Sequence, residues 1–330
     1  MSTVPALEET HATARWARRA AFLCVLCAVP LILFGGSVTT LGAGMAVDGW
    51  LIAEGHFLLF FPAEKWFRDT ATFVEHTHRL WGTLVGLGAL ACVVLAFARA
   101  ERRGARLGAV VALAAVCAQG ALGGLRVLAN DSRLAFLHGA FAQLVFALLC
   151  VNAVLFSTRW RTAGRARRPA LAERRALAAA ALVALVAGYA QVVLGAWYRH
   201  GLRPTPVAES GLRFLLHGLG ALLVLVASAA LVRRASALGT AEGELAPGLE
   251  RAVRWLPALL VTQLVLGGLA WAGFKPGVIG PAEWALSIAH VLGGALLFAA
   301  FAVVFLWSRR LVAETHAPLA SALAAGVEAR

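Results

Sequence analysis

Long apolar runs alternate with short polar connections along the whole chain. Each run is about as long as the roughly 20 residues that an α-helix needs to cross the hydrocarbon core of a bilayer. None shows the period-two alternation of a membrane β-strand, and glycine is frequent within them, as in helices that pack closely in lipid. The pattern predicts eight transmembrane helices, at approximately 20–40, 73–98, 107–128, 134–156, 175–196, 212–232, 254–272 and 284–307.

The composition agrees with this interpretation. Hydrophobic residues make up 60% of the 330 residues and charged residues only 14%, whereas soluble domains carry about 25% charged residues. We therefore predict an all-α integral membrane protein. The net charge of +13 would fit a nucleic-acid-binding protein only if the basic residues shared one exposed face. Their distribution along the chain excludes nucleic acid as a partner and leaves the lipid bilayer.

The basic residues are concentrated in alternate connections. Of the 30 Lys and Arg residues, 21 lie in the two terminal tails and in the loops after the second, fourth and sixth helices. The other nine share their side with eight acidic residues, so that side is nearly neutral. Because short basic loops stay in the cytoplasm, both termini are predicted to be cytoplasmic. All five cysteines lie in predicted helices, where we expect them to pack rather than to form disulfides.

A helix–loop–helix pattern recurs along the chain. In three copies, a helix with Gln and then Gly four residues later precedes an outer loop and a helix that opens with His. The first run, with Gly35 and Gly36 before His78, completes a fourth copy, which favours a retained helix over a cleaved signal peptide. Four hairpins predict two tandem four-helix bundles with pseudo-two-fold symmetry along the membrane normal. The predicted parts are a cytoplasmic tail (1–19), a first half (20–156), an Arg-rich cytoplasmic linker (157–174), a second half (175–310) and a cytoplasmic tail (311–330).

One histidine opens each even-numbered helix: His78, His138, His217 and His290. At 1.5 Å per residue, all four lie roughly 6–9 Å below the outer boundary. A single intramembrane histidine most often packs against another helix, but four at one depth favour metal or haem ligation. Zinc would need thiolates or carboxylates in the same cluster, so two bis-histidine haem sites fit the pattern better.

Charged side chains lie at about the same depth in the membrane as the four histidines. Glu75 is one helical turn from His78 and either complements the helix dipole or acts as a carboxylate beside a haem edge. His76 is expected to point elsewhere, and His56 and His200 are expected in outer loops with exposed or accessory roles. Six outer arginines can pair with haem propionates or anchor helices at the interface. We single out Arg79, Arg126, Arg133 and Arg213, and leave Arg199 and Arg203 aside.

The segment Glu75-His-Thr-His78-Arg79, together with the single histidines of helices four, six and eight, resembles the heme A synthase family. The stretch Gly42–Ile52 resembles the first outer loop of its mitochondrial and alphaproteobacterial branch, which lacks a cysteine pair there. Within the loop at 41–72, the run Phe57–Phe61 predicts a short interfacial helix. The resemblance extends over nearly the whole chain.

This resemblance implies an oxidoreductase of the bacterial inner membrane, with haem sites near the outer face. It would oxidise the C8 methyl of heme O to a formyl group by successive hydroxylations, for cytochrome oxidase assembly. His217 and His290 would ligate heme b, His78 and His138 would hold the substrate heme O, and Glu75 would be the catalytic carboxylate. A heme O synthase and oxidase assembly factors would be partners, and a homo-oligomer is left open.

Other functions remain open at this point. The main alternative is a bis-haem, quinone-linked electron-transfer subunit without haem chemistry, since four histidines at one depth fit both functions. A transporter is disfavoured because the halves are parallel and no broken helix with convergent charge is indicated. A heme O synthase-type prenyltransferase would need an Asp-rich magnesium site, which the sequence lacks.

Overall fold

The computed structural model describes residues 4–99, 101–162, 170–200, 207–242, 247–273 and 279–313. Within these residues the chain is almost entirely helical, and eight helices are long and apolar enough to cross a membrane. The predicted all-α integral membrane fold is confirmed. The helices are α1 (Val4–Thr40), α2 (Ala63–Trp66), α3 (Thr70–Ala98), α4 (Arg103–Ala129), α5 (Ser132–Phe156), α6 (Thr158–Thr162), α7 (Leu171–His200), α8 (Val207–Glu242), α9 (Pro247–Ala272) and α10 (Pro281–Ala313).

Most spanning helices are longer than the apolar runs predicted them to be. Helix α1 begins at Val4 and α8 runs on to Glu242, in both cases through polar residues. An apolar run marks only the part of a helix that lies in hydrocarbon, whereas the hydrogen bonds of a helix continue into water. The predicted linker contains α6, and residues 163–169 and 314–330 lie outside the described residues.

The packing follows the internal repeat. Helices α1 and α3, α4 and α5, α7 and α8, and α9 and α10 form four hairpins. The first and last spanning helices of each half, α1 and α5 with α7 and α10, pack against one another and join the halves. Small residues such as Ala28, Ala147 and Ala295 are buried near this junction, which lets the backbones approach closely. The contacts among the described helices therefore agree with two four-helix halves, and their duplication stays a prediction.

Two ends of the bundle can be told apart. The loop end carries the connection between α1 and α3 and the turn between α4 and α5, whereas the opposite end carries the connection between α3 and α4. Which end faces the cytoplasm stays a prediction from the distribution of basic residues. The five cysteines are free thiols in the structure.

The connection from α1 to α3 is folded rather than extended. The short helix predicted at Phe57–Phe61 is present only as a 3-10 turn, because Phe57 belongs to a small antiparallel hairpin of Ile52–Ala53 (β1) and His56–Phe57 (β2). A single 3-10 turn at Leu58–Phe60 follows. The turn between the strands uses Glu54 and Gly55, both with positive φ, a geometry that fixes a tight hairpin and interrupts a helix.

Ion pairs and hydrogen bonds hold the end of this connection against the start of α3. The Arg68 guanidinium donates hydrogen bonds to Glu54 at 2.7 Å and to the Ala46 carbonyl at 2.9 Å. The hydrogen bond from Arg68 lowers the pKa of the Glu54 carboxyl below its ordinary value. Asp69 caps α3 by accepting a hydrogen bond from the Thr72 amide at 2.8 Å, and that contact lowers the Asp69 pKa. The start of α3, from which Glu75 and His78 project, is therefore held in place.

Candidate functional site

The four histidines of the repeat lie near the loop end and meet as two pairs. The ring centres of His78 and His138 are 6.4 Å apart, and the rings are nearly perpendicular at 83°. The ring centres of His217 and His290 are 6.3 Å apart, at 81°. Each pair joins two helices of one half, α3 with α5 and α8 with α10. The two halves thus contain near-identical arrangements.

A glycine on the preceding helix contacts every one of these rings. A methyl group on Gly35 would lie 2.8 Å from His78 Cε1, and one on Gly123 would lie 2.8 Å from His138 Cε1. The corresponding distance is 2.9 Å at both Gly195 and Gly267. Real side chains essentially never come so close, so only glycine allows the imidazoles these positions. This contact explains why Gly precedes His in all four copies of the repeat. The contacts pair Gly35 with His78, Gly123 with His138, Gly195 with His217 and Gly267 with His290.

The residue one turn before each glycine fixes the histidine. Gln119 Nε2 donates to the backbone carbonyl of His138 at 3.0 Å, and Gln191 Nε2 donates to that of His217 at 2.9 Å. Gln263 Nε2 lies 3.3 Å from His290 Nε2. The glutamine and glycine share one helical face because they are four residues apart.

In the first copy of the repeat, a backbone group takes the place of the glutamine. The Leu31 carbonyl oxygen lies 3.1 Å from His78 Nδ1. A carbonyl can only accept, so the proton of the neutral ring lies on Nδ1 and the lone pair on Nε2 is free to bind a metal. His78 is therefore oriented as a ligand by a contact that the sequence pattern did not indicate.

The geometry of both pairs is suited to a metal between two imidazoles. A metal that binds a ring nitrogen at about 2 Å places the two ring centres about 6 Å apart when it lies between them. Both observed separations agree with this, and every ring keeps some accessible surface. No group of three or more His, Cys, Asp or Glu side chains suited to a metal ion occurs among the described residues. The donor set, two neutral imidazoles with glycine beside each, fits a haem iron held from both faces.

Glu75 lies in a buried network beside the first pair. Its side chain is only 3% exposed, and one carboxylate oxygen accepts from Arg79 at 2.7 Å. The other oxygen accepts from the Val47 amide at 2.9 Å. Asp69 already caps the helix, so completing the helix N-terminus is not the main role of Glu75. The carboxylate instead joins α3 to the loop above it.

The four arginines singled out from the sequence lie in different settings. Arg79 also donates to the carbonyls of Val47 and Gly49, and Arg126 donates to that of Gly44. Both therefore hold the loop down near the first pair. Arg213 stacks over the Trp197 ring at 4.9 Å in the second half, whereas the Arg133 side chain is exposed. Their predicted contact with propionates stays a prediction.

Two histidines lie where the sequence did not place them. His76 is 2% exposed and its ring packs on Phe61, with ring centres 4.6 Å apart, so His76 is buried rather than exposed. His200 ends α7 rather than lying in a loop, and a methyl group on Gly139 would lie 2.7 Å from its Nε2. A residue of the second half thus packs against Gly139, the residue that follows His138. The only sequence signal for this contact was the glycine that follows His138.

A comparison with known protein families gives a match to the first half of the chain. The family model COX15-CtaA, described as cytochrome oxidase assembly protein, matches residues 3–150. The matched stretch contains Glu75, His78 and His138, and the resemblance predicted from the sequence is confirmed over these residues. No curated protein matches the chain. The second histidine pair lies beyond the COX15-CtaA match and is related to it by the repeat.

The glycine contacts allow a direct test with adjacent residues of α9. We expect Gly267→Ala to lower the melting temperature and to disturb His290, because its methyl group would overlap the ring. Gly268 has no atom within 4 Å of an added methyl group, so Gly268→Ala should be neutral or stabilise by about 0.5–1 kcal/mol. Thermal unfolding of the two purified variants measures this difference. Equal effects of the two substitutions would contradict the close contact between Gly267 and the His290 ring.

Proposed function

We propose that this chain is a heme A synthase, which oxidises the C8 methyl group of heme O to a formyl group by successive hydroxylations. The observation that most supports this proposal is the presence of two similar histidine pairs in a chain whose first half matches a cytochrome oxidase assembly family. Both pairs lie near one end of the bundle. This placement favours a reaction at one face over electron transfer across the membrane.

The first half is the proposed substrate site. His78 and His138 would hold heme O from its two faces, and Gly35 and Gly123 leave room for the imidazoles. Trp50 contacts Gly124 at the loop end of this half, and the folded loop would there limit the access of water to a bound haem. Glu75 would place a fixed negative charge near the substrate, able to stabilise positive charge or to accept a proton.

The second half is the proposed cofactor site. His217 and His290 would ligate heme b, and their rings are held by Gly195 and Gly267. A haem at this position supplies one-electron redox chemistry. Such chemistry is needed because conversion of a methyl group to a formyl group removes electrons from the carbon, which an external acceptor must take up, and adds an oxygen atom from water or dioxygen. The chain's own contribution is to fix both rings at one depth.

Co-expression with a heme O synthase, followed by haem extraction and chromatography, tests this function. Heme A or its hydroxylated precursor should appear with the wild-type chain and should be absent with the His78→Ala/His138→Ala variant. Bound haem with a bis-histidine spectrum but only unmodified heme O would overturn the enzyme assignment. That result would favour an electron-transfer subunit instead.

A further inference from the structure

Arg199 lies where the two halves meet, near the loop end of α7. Its guanidinium donates to Ser287 Oγ of α10 at 3.0 Å. It also donates to the Gly36 carbonyl and to Thr40 Oγ1 of α1, both at 2.6 Å. One side chain thus connects α7 and α10 of the second half with α1 of the first half.

All three partners of Arg199 are neutral. Among the described residues, no carboxylate forms an ion pair with it, whereas Arg79 on α3 has Glu75 at 2.7 Å. A cation drawn into a protein interior is costly unless an opposite charge accompanies it. A guanidinium has five N–H donors, and three are used by the contacts above, which leaves two. Among the described residues, Arg199 is therefore a half-buried cation with two donors not used by these contacts and no carboxylate partner.

The position of Arg199 relates it to both histidine pairs. Gly36 follows Gly35, the residue that contacts His78. Arg199 is one helical turn beyond Gly195, which contacts His217, and Ser287 is one turn before His290 on α10. On each of these helices, Arg199 or its partner lies closer to the loop end than the residue that contacts or carries the histidine. An anionic substituent of a macrocycle held by either pair, and directed toward the loop end, would lie on the same side of the pairs as this guanidinium.

We propose that Arg199 binds a propionate carboxylate of a haem held by one of the histidine pairs. This inference rests on the haem sites of the proposed function. Arginine suits carboxylates because its planar N–H groups form charge-assisted hydrogen bonds with them. From the sequence, four of the six arginines at the depth of the histidines were singled out as propionate partners, and Arg199 was left aside. The structure distinguishes Arg199 by its place between the two pairs and by its contacts with helices of both halves.

A purely structural role would leave Arg199 as a connection between helices. The chain offers a matched residue for that role at the opposite end of the same helices. Arg174 of α7 is buried and donates to the Leu311 carbonyl of α10 at 2.9 Å, far from the histidines. Arg174→Gln thus removes a buried arginine contact between α7 and α10 without touching either site.

The test compares two porphyrins on the full-length chain, purified in detergent and freed of haem. Iron protoporphyrin IX and its dimethyl ester differ only in the charge of the propionates, and both are titrated by their bis-histidine absorbance. We expect wild type and Arg174→Gln to prefer the acid form. Arg199→Gln should weaken binding of the acid about 10- to 100-fold, leave the ester unchanged and so lose the preference.

Variants that keep only one histidine pair identify which haem is bound. His217→Ala/His290→Ala leaves the first pair, and His78→Ala/His138→Ala leaves the second. The effect of Arg199→Gln should persist with one of them. If Arg199→Gln does not fold, Ser287→Ala loosens the helix contact but keeps the charge, and it should retain the preference for the acid.

Different outcomes would contradict the propionate contact, the haem sites and the proposed reaction. Equal weakening of acid and ester by Arg199→Gln, an unchanged preference, or loss of the preference in Ser287→Ala would overturn the propionate contact. Failure of wild type to bind either porphyrin would overturn the haem sites themselves, and the inference with them. Failure to convert heme O with the acid preference intact would overturn only the proposed reaction.

Discussion

Replacing Glu75 by Gln is expected to reduce heme A formation by about 10²- to 10⁴-fold, the usual contribution of a positioned acid or base. Extracted haem should then consist of heme O or a hydroxylated intermediate, while both histidine pairs still bind haem. The reason is that glutamine keeps the shape of the side chain and can still accept from the Val47 amide. It removes the negative charge that now faces Arg79 at 2.7 Å.

The buried contacts of Glu75 require a control for its role in holding the loop. Trp50→Ala removes the packing of the loop against Gly124 but leaves the carboxylate in place. If Glu75 acts only as an anchor, both variants should open the loop to protease and lose heme A to the same extent. We expect Glu75→Gln to lose far more product than loop order. A normal heme A yield from Glu75→Gln would refute its catalytic role.

The four histidines are expected to behave as two independent units. Alanine at either His217 or His290 should remove roughly half of the bound haem, since each iron needs both axial rings of its pair. The double variant within a pair should be no worse than the single one. Substitutions in different pairs should be additive, as for residues that share no partner. Pyridine haemochrome quantification of the purified variants gives these occupancies.

The matched result for the other half is loss of the first haem in His78→Ala or His138→Ala. His200→Ala serves as the control, because His200 lies beside Gly139 but outside the pair. It should retain both haems. Strong coupling between His78 and His217 would contradict the pairing seen in the structure, since it would require one haem to bridge the halves.

The sequence predicted the eight spans because a helix in lipid must be apolar over its whole length. It also predicted the repeat, since Gln and Gly four residues apart must share a helical face. Helix ends were less predictable. Polar residues continue α1 back to Val4 and α8 on to Glu242, and nothing in an apolar pattern marks that extension.

The prediction of a short interfacial helix in the loop between α1 and α3 missed the hairpin for a physical reason. The run Phe57–Phe61 has the composition of an interfacial helix, but Glu54 and Gly55 turn the chain so that Ile52 pairs with Phe57. Once this hairpin forms, Phe61 packs on His76 and buries it. Local composition could not show that contact, because the two residues meet only when the loop folds over α3.

The sequence by itself determined the membrane class, the duplicated hairpins and one histidine at one depth in each, because these depend on local hydrophobicity and helical spacing. The tertiary structure alone decided which rings face each other, with centres 6.4 and 6.3 Å apart. It also decided that Leu31 orients His78 and that Arg199 of the second half reaches Gly36 of the first. Such contacts join residues far apart in the chain, and only the packing of one helix on another brings them together.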